Sequence, residues 1–175
     1  MRRIISVLME NAPGALSRIV GVFSQRGFNV DSLCVAPTDD ESLSRLTIIT
    51  QGNDKVIEQI TKQVNKLIDV LKVAELTEGP HIERELMLIK AKASGAQRAE
   101  VKRTTDIFRG QIVDLTNSVF SIQMTGTSDK LDLFITALGE NGVSEAARTG
   151  GLGISACGSS PASFPPSPCT TAHQV

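Results

Sequence analysis

The segment from Asn11 to Leu16 has residue types suited to binding a carboxylate. An apolar run at 4–9 precedes it, and apolar residues at helical spacing follow, so we expect a strand, a tight turn and a helix. The first N–H groups of a helix have no partner within it, and the helix dipole favours anions there. Pro13 fixes the path of the chain, and Gly14 lets a ligand approach the backbone. The turn therefore predicts a small anion site, although Pro13-Gly14 is also compatible with a helix start that binds nothing.

The remaining reactive residues do not form a catalytic or metal-binding pattern. The three cysteines lack metal-ligand spacing, and residues 39–41 (Asp-Asp-Glu) are typical of a turn. The glycine-rich run at 150–153 opens no predicted helix, so it is a weak candidate for a phosphate loop. No set of residues supplies a nucleophile, a base and an orienting group together. The sequence therefore indicates a binding module and not an enzyme.

Composition narrows the classes of partner. The chain has 175 residues and a net charge of −1, with no Trp and no Tyr. A balanced charge does not favour nucleic acid or an anionic membrane, and the longest apolar runs are too short to cross a bilayer. Three cysteines without metal spacing, two of them in the last 20 residues, fit a reducing cytosol. We therefore expect a cytoplasmic protein that binds neither nucleic acid nor membrane.

The first half of the chain predicts the order β-α-β-β-α-β. Strands are expected at 3–9, 29–36, 44–50 and 70–76, and helices at 15–26 and from Asn53 or Asp54 through apolar positions 57, 60, 64, 67 and 68. The first strand is apolar on both faces, whereas a strand with helices on one side only should alternate. Its second face should therefore be covered, with a partner chain as one candidate.

The second half predicts the same order again. Strands are expected at 85–91, 111–115, 119–125 and 143–147, and helices from a capping box at Ser94 and Gln97 to Phe108 and from 126–128 onward. Arg26-Gly27 and Arg109-Gly110 are local echoes that support a repeat. The predicted fold class is α+β, with two tandem ferredoxin-like βαββαβ units at 1–78 and 79–155 and a disordered tail at 156–175.

Several stretches resemble the small, regulatory subunit of acetolactate synthase (acetohydroxyacid synthase). The resemblance spans about residues 1–155. It rests on these stretches: 2–11, 13–18, 23–30, 35–39, 83–86, 107–110, 126–131 and 147–150. It implies that the first unit is an ACT domain and the second the family's C-terminal ferredoxin-like domain. The family usually continues past Ser155 with Arg-Gly and a charged end. Here a Pro/Ser-rich tail follows instead, as a shifted reading frame would produce.

The resemblance also implies a function. Such a subunit has no turnover of its own. It binds the thiamine-diphosphate-dependent catalytic subunit, raises its activity and makes it sensitive to valine or another branched-chain amino acid. Thiamine diphosphate, Mg and FAD belong to that catalytic subunit, and no cofactor is expected in this chain. ACT domains pair side by side, so a homodimer is expected in which the loop at Gly14 faces the strand 29–36 of the other copy.

The expected effector site follows from this pairing. A free amino acid needs donors for its carboxylate, which the N–H groups around Gly14, Ala15 and Leu16 would supply. It also needs acceptors for its ammonium, which the amides of Asn11 and Asn29 would supply. The other expected contact residues are Ser17, Val30, Cys34 and Ala36. The family often has Thr at the position of Cys34.

Two other functions remain open from the sequence. A stand-alone ACT-type amino-acid sensor acting on transcription would need a basic recognition helix, and none is evident. A small enzyme of ferredoxin-like fold would turn over pyruvate by itself. The basic residues of the helix that ends near Phe108 form either a solvated face or a surface for an acidic partner.

Overall fold

The computed structural model describes residues 1–139 and 142–157. The chain divides into two compact units, Met1–Ile82 with the described residues from Gly153 onward, and Glu83–Leu152. The division lies a few residues after the boundary expected from the sequence, which was between 78 and 79. Residues 158–175 of the predicted disordered tail lie outside the described part of the chain.

The first unit is one four-stranded antiparallel sheet with two helices. Its elements are β1 (Arg2–Glu10), α1 (Ala15–Gln25), β2 (Val30–Pro37), β3 (Leu43–Gln51), α2 (Asp54–Val64) and β4 (Val70–Glu75). The strand order is β2-β3-β1-β4, with antiparallel pairing throughout. This is the predicted ferredoxin-like order, and β1 and β3 form the centre of the sheet.

Local signals set the helix ends of the first unit. Gly27 takes a φ of +68° just after α1, as expected for a glycine at this position. The side chain of Asn53 caps α2 by accepting a hydrogen bond of 3.0 Å from the N–H of Val56. The expected helical role of Ile68 is wrong, because α2 ends at Val64 and Ile68 is 91% exposed.

Both faces of β1 are buried. One face packs on the helices in a cluster of buried residues: Ile5, Val7, Met9, Ile19, Phe23, Leu46, Ile48, Ile57, Ile60 and Val64. On the other face, Ile4, Ser6 and Leu8 are at most 6% exposed. The prediction of a covered second face is therefore confirmed, and a single chain suffices to cover it.

A short strand that the sequence did not predict contributes to this cover. It is β9 (Leu152–Ser155), and just after it the N–H of Ala156 donates to the carbonyl of Pro80 at 2.8 Å. A Cβ on Gly153 would lie 2.9 Å from Cδ1 of Leu76 and 3.3 Å from Cγ2 of Ile4. The backbone at Gly153 therefore rests directly on the apolar cluster of Ile4, Ile49 and Leu76, where only a glycine fits without displacement.

The second unit repeats the same order around its own core. Its elements are β5 (His81–Lys92), α3 (Gln97–Ile107), β6 (Gln111–Leu115), β7 (Val119–Gly126), α4 (Ser128–Leu138) and β8 (Val143–Arg148). The strand order is β6-β7-β5-β8. β5 begins at His81, four residues before the predicted start at Glu85. The core of the second unit includes Met87, Ile89, Ile122, Leu131 and Phe134.

The predicted capping box at Ser94 is wrong. The residue before α3 is Ala96, and no side chain caps the helix there. Gly95 takes a φ of +56°, and this left-handed residue turns the chain before the helix starts. The N–H of Gln97 donates instead to the backbone carbonyl of Ser94 at 3.2 Å. The turn is therefore held by the backbone and not by the Ser94 hydroxyl.

The end of α3 also differs from expectation. Gly110 does not take the left-handed conformation; Arg109 does, with a φ of 59°. The N–H of Arg109 donates to Asp106 and that of Gly110 to Thr105, as those of Gly27 and Phe28 donate to Ser24 and Phe23. Arg109 therefore corresponds to Gly27. The fold repeats, but the Arg-Gly echo is out of step by one residue.

Among the described residues, no helix is long and apolar enough to cross a membrane.

Replacing Gly153 with Val should destabilise the first unit. The added side chain would overpack against Leu76 and Ile4, and such overpacking costs about 1–3 kcal/mol. Urea unfolding of the full chain measures the change. The control is Gly79→Val, because nothing lies within 4 Å of a Cβ at Gly79. Equal unfolding midpoints for the two variants would show that β9 does not rest tightly on the sheet.

Candidate functional site

In the part of the chain that the structure describes, the first turn of α1 has two backbone N–H groups free, and the loop before it has two more, at Ala12 and Gly14. Gly14 precedes α1 with a φ of +86°, and no side chain caps the helix. The N–H of Ala15 donates to the carbonyl of Ala12 at 3.2 Å, so this predicted donor is already engaged. The N–H groups of Leu16 and Ser17 have no hydrogen-bond partner within residues 1–139 and 142–157. Leu16 and Ser17 are therefore the donors that the helix would offer a carboxylate here, and the predicted donor at Gly14 lies next to them.

An ion pair that the sequence did not reveal lies beside this loop. The guanidinium of Arg18 donates from Nε and Nη2 to both carboxylate oxygens of Asp69, with Nη2 2.6 Å from Oδ1. Asp69 is 5% exposed, and its backbone carbonyl accepts from the N–H of Glu10 at 2.8 Å. The pair therefore ties the first turn of α1 to the end of β1 and the start of β4.

The ion pair also adds positive charge at the site. Nη1 of Arg18, which the carboxylate of Asp69 does not use, lies 3.0 Å from the position of a Cβ on Gly14. Hydrogen bonds from Arg18 hold the pKa of the Asp69 carboxyl below its usual value, and the same bonds raise the pKa of Arg18. Both groups therefore stay charged at neutral pH, with part of the guanidinium facing the loop.

A groove runs from the loop along α1. It has a volume of about 450 Å³ and is lined by Gly14, Ser17, Arg18, Gly21, Val22, Gln25 and Leu67. Val22 and Leu67 make one part of its wall apolar, while Arg18 and Ser17 make the other part polar. A small ligand with one anionic end and one aliphatic end matches this division.

One chain brings part of the predicted site together. Asn11 lies next to the Gly14 loop, where its Nδ2 donates to the carbonyl of Glu41 at 2.9 Å and its N–H to that of Ser42 at 2.7 Å. The end of β2 is at the same end of the sheet, because Pro37 and Met9 both pair with Ser44. Ala36 therefore shares this end of the sheet with the loop.

Asn29 and Val30 lie at the opposite end of the sheet. Val30 and Arg3 both pair with Thr50, six residues along β3 from Ser44, which is about 20 Å at the usual rise of a strand. The Nδ2 of Asn29 donates to Asp31 at 2.7 Å. A single chain therefore does not bring Asn29 to the Gly14 loop, and the expected contact of Asn29 with the effector is not formed within one chain.

Cys34 occupies the helix-free face of the sheet. It pairs with Thr47, which pairs with the buried Ser6 of β1. Leu33, next to it, packs against the helix-side core. Since successive side chains of a strand alternate, Cys34 and Ala36 share one face. The described residues contain no group of three or more His, Cys, Asp or Glu arranged to hold a metal ion.

The fold and the loop define the first unit as an ACT-type domain joined to a second ferredoxin-like domain. A family model described as "AHAS small subunit-like ACT domain" matches residues 5–72. A second model, "Small subunit of acetolactate synthase", matches residues 84–156. The chain belongs to the family of acetolactate synthase small subunits, which confirms the resemblance seen in the sequence and places it in branched-chain amino acid biosynthesis.

Individual relatives agree with this assignment. The chain is 59% identical to the acetolactate synthase isozyme 3 small subunit of Salmonella typhimurium, over 89% of this chain and 96% of the relative. It is 56% identical to the acetolactate synthase small subunit of Haemophilus influenzae over the same shares. The crystal structure of the small subunit from Thermotoga maritima superposes with a TM-score of 0.82 at 38% identity, over 88% of this chain and 96% of that one.

Replacing Asp69 with Asn should lower the stability of the first unit at neutral pH. The pKa of Asp69 is lower in the folded chain than in the unfolded one, so its charge stabilises the fold above pH about 3.9. That contribution is lost as the pH falls through the folded-state pKa. Melting temperatures of the two proteins should therefore differ at pH 7 and converge in acid.

The control for this comparison is Glu58→Gln. Glu58 pairs with Lys62 on the exposed surface of α2, where ion pairs contribute little. Two results would show that the ion pair does not hold the loop. One is a melting temperature of Asp69→Asn equal to that of the wild type at pH 7. The other is a difference in melting temperature that stays the same in acid.

Proposed function

We propose that this chain is the regulatory subunit of acetolactate synthase. It binds the thiamine-diphosphate-dependent catalytic subunit in the cytoplasm, raises its rate and confers feedback inhibition by valine or another branched-chain amino acid. It has no turnover of its own, and thiamine diphosphate, Mg and FAD stay with the catalytic subunit. The family assignment supports the proposal that the partner is the catalytic subunit. The proposal that an amino-acid effector binds rests on the pair of free N–H groups, at Leu16 and Ser17, beside the guanidinium of Arg18.

The effector's carboxylate would accept hydrogen bonds from the N–H groups of Leu16 and Ser17, with Nη1 of Arg18 adding charge. Its aliphatic side chain would lie against the apolar wall of the groove. Its ammonium needs acceptors, for which the amide oxygens of Asn11 and of Asn29 from a second copy are suited. The distance of about 20 Å between Asn29 and the loop within one chain is the reason to propose a homodimer through the ACT domains.

The β2 strand is a suitable edge for such a dimer. It lies at the end of the strand order in the first sheet, so no strand among the described residues lies beside one of its edges. Val35 on it is 38% exposed. A second copy paired there would bring its own Asn29–Ala36 segment toward the site.

Reconstitution tests the regulatory role. The purified chain alone should make no acetolactate from pyruvate, whereas its addition to the matching catalytic subunit should raise that subunit's rate. Acetolactate formation is measured at a fixed catalytic-subunit concentration while this chain is titrated. Turnover by this chain alone, at a rate comparable to that of the complex, would contradict the proposal.

Replacing Gly14 with Asp should abolish inhibition by valine and largely spare activation. The new side chain would start 3.0 Å from Nη1 of Arg18, so its carboxylate would pair with that guanidinium and occupy the free N–H groups. It would also repel the effector's carboxylate. Asp tolerates the left-handed conformation of Gly14 better than most residues, so α1 should still form. A valine titration of the reconstituted complex is the measurement.

The control for this variant is Gly79→Asp, which adds the same charge at a position with open space around it. It should keep the wild-type inhibition curve. An unchanged curve for Gly14→Asp as well would mean that the effector does not bind at this loop.

Asn29→Ala should weaken inhibition less than Gly14→Asp does. It removes one hydrogen bond to a charged group and adds no repulsion, and such a loss costs about 1.5–3 kcal/mol, or roughly tenfold or more in affinity. The valine concentration for half-maximal inhibition should rise accordingly. No change would argue against a contribution from the β2 strand of a second copy.

A further inference from the structure

The end of α3 contains an unusual backbone conformation. Arg109 is the one non-glycine residue with a positive φ within residues 1–139 and 142–157, at 59°. Its counterpart in the first unit is Gly27, at 68°. An L-residue with a side chain is less stable than glycine in this region because its Cβ crowds the backbone. The second unit therefore keeps an arginine where the same turn in the first unit uses glycine.

No hydrogen bond or ion pair of the side chain with the described residues offsets this strain. Arg109 is exposed, and its guanidinium makes no hydrogen bond or ion pair with any described residue. The order of the two residues cannot be reversed, with glycine at 109 and arginine at 110. A Cβ at position 110 would lie 3.0 Å from Cγ2 of Thr105 and 3.1 Å from Cγ of Met124. Strained residues that the fold itself does not need are characteristic of functional sites.

The surroundings of Arg109 resemble the centre of a protein interface. Ile107, two residues earlier, is 70% exposed. Phe108 between them packs edge-to-face on Phe134, with ring centroids 5.4 Å apart. Ile107 and Arg109 are therefore held on a fixed base while their own side chains face solvent. Arginine is enriched at interface hot spots, and the exposed side chain of Ile107 beside it offers apolar area that a partner can bury.

The charge of this segment indicates the chemistry of the partner. Residues 97–110 hold four basic and two acidic residues, whereas the whole unit, 83–152, holds nine of each. The positive charge is thus concentrated at α3 and its end. Two copies of this segment would repel each other across a two-fold axis, so a second copy of this chain is a poor occupant. A surface with carboxylates fits, since the guanidinium can bind one through two parallel hydrogen bonds.

We propose that Ile107 and Arg109 form a docking point for the catalytic subunit, with Arg109 binding a carboxylate on its surface. This rests on the proposed function only in taking the catalytic subunit as the partner, and it is independent of the effector site.

Arg109→Gly is the decisive variant. Removing the side chain relieves the backbone strain, so the melting temperature of the full chain should stay the same or rise. The concentration of this chain that gives half-maximal activation of the catalytic subunit should rise roughly tenfold, as for loss of a hot-spot residue. Arg109→Lys keeps the charge but cannot bind a carboxylate through two parallel bonds. Its concentration for half-maximal activation should therefore lie between those of Arg109→Gly and the wild type.

Lys102→Gln is the matched control, because it removes one positive charge from an exposed position on the same helix. It should change half-maximal activation far less than Arg109→Gly does. Ile107→Ser should weaken activation without lowering the melting temperature. The valine concentration for half-maximal inhibition of the saturated complex should be the same in all four variants.

Several results would overturn the docking proposal. One is an activation curve of Arg109→Gly that matches the wild type. A second is a loss of activation in Lys102→Gln as large as that in Arg109→Gly. A third is a melting temperature of Arg109→Gly that falls together with its activation. A change in self-association of Arg109→Gly, measured by light scattering, with activation intact would identify a second copy as the occupant. Failure of the wild-type chain to activate at all would instead contradict the proposed function.

Discussion

Burial of both faces of β1 is the constraint on which the first unit depends. Residues 4–9 are buried without interruption, so helices must cover one side of the strand and another part of the chain the other. Gly153, more than 140 positions away in the sequence, helps to cover the face of β1 that does not pack on the helices. With both faces and both edges of β1 engaged, its end at Glu10 has a fixed position, and the loop that follows starts from a rigid support.

The ion pair of Arg18 and Asp69 fixes the first turn of α1, which follows the loop, to the sheet. Asp69 is held to the end of β1 by its backbone carbonyl and to α1 by its carboxylate. One consequence is structural, because the first turn of α1 cannot move independently of the sheet. The other is electrostatic, because the same contact leaves Nη1 of Arg18 next to two free N–H groups. An anion that bound there would meet donors and a positive charge already in place, as the proposed effector site requires.

The sequence predicted the parts of the fold that depend on neighbouring residues. Apolar periodicity located α1 and α2, and the strand, glycine and helix around Gly14 have the predicted order. The anion site expected there stays a prediction. It missed β9, because a four-residue strand inside a glycine-rich run has no periodicity of its own. It missed the partner of Arg18, because Asp69 is 51 residues away and only the pairing of β1 with β4 brings the two together. Ser94 failed as a cap because Gly95 changes the path of the chain before α3.

In the proposed function, the effector's carboxylate binds at the N–H groups of Leu16 and Ser17. NMR titration of the ¹⁵N-labelled full chain with valine, and separately with valinamide, tests it most directly, because valinamide lacks the carboxylate. We expect saturable shifts of the Leu16 and Ser17 amide signals with valine, and no comparable shifts with valinamide. Equal shifts with both compounds, or unchanged Leu16 and Ser17 signals while valine binds elsewhere, would contradict it.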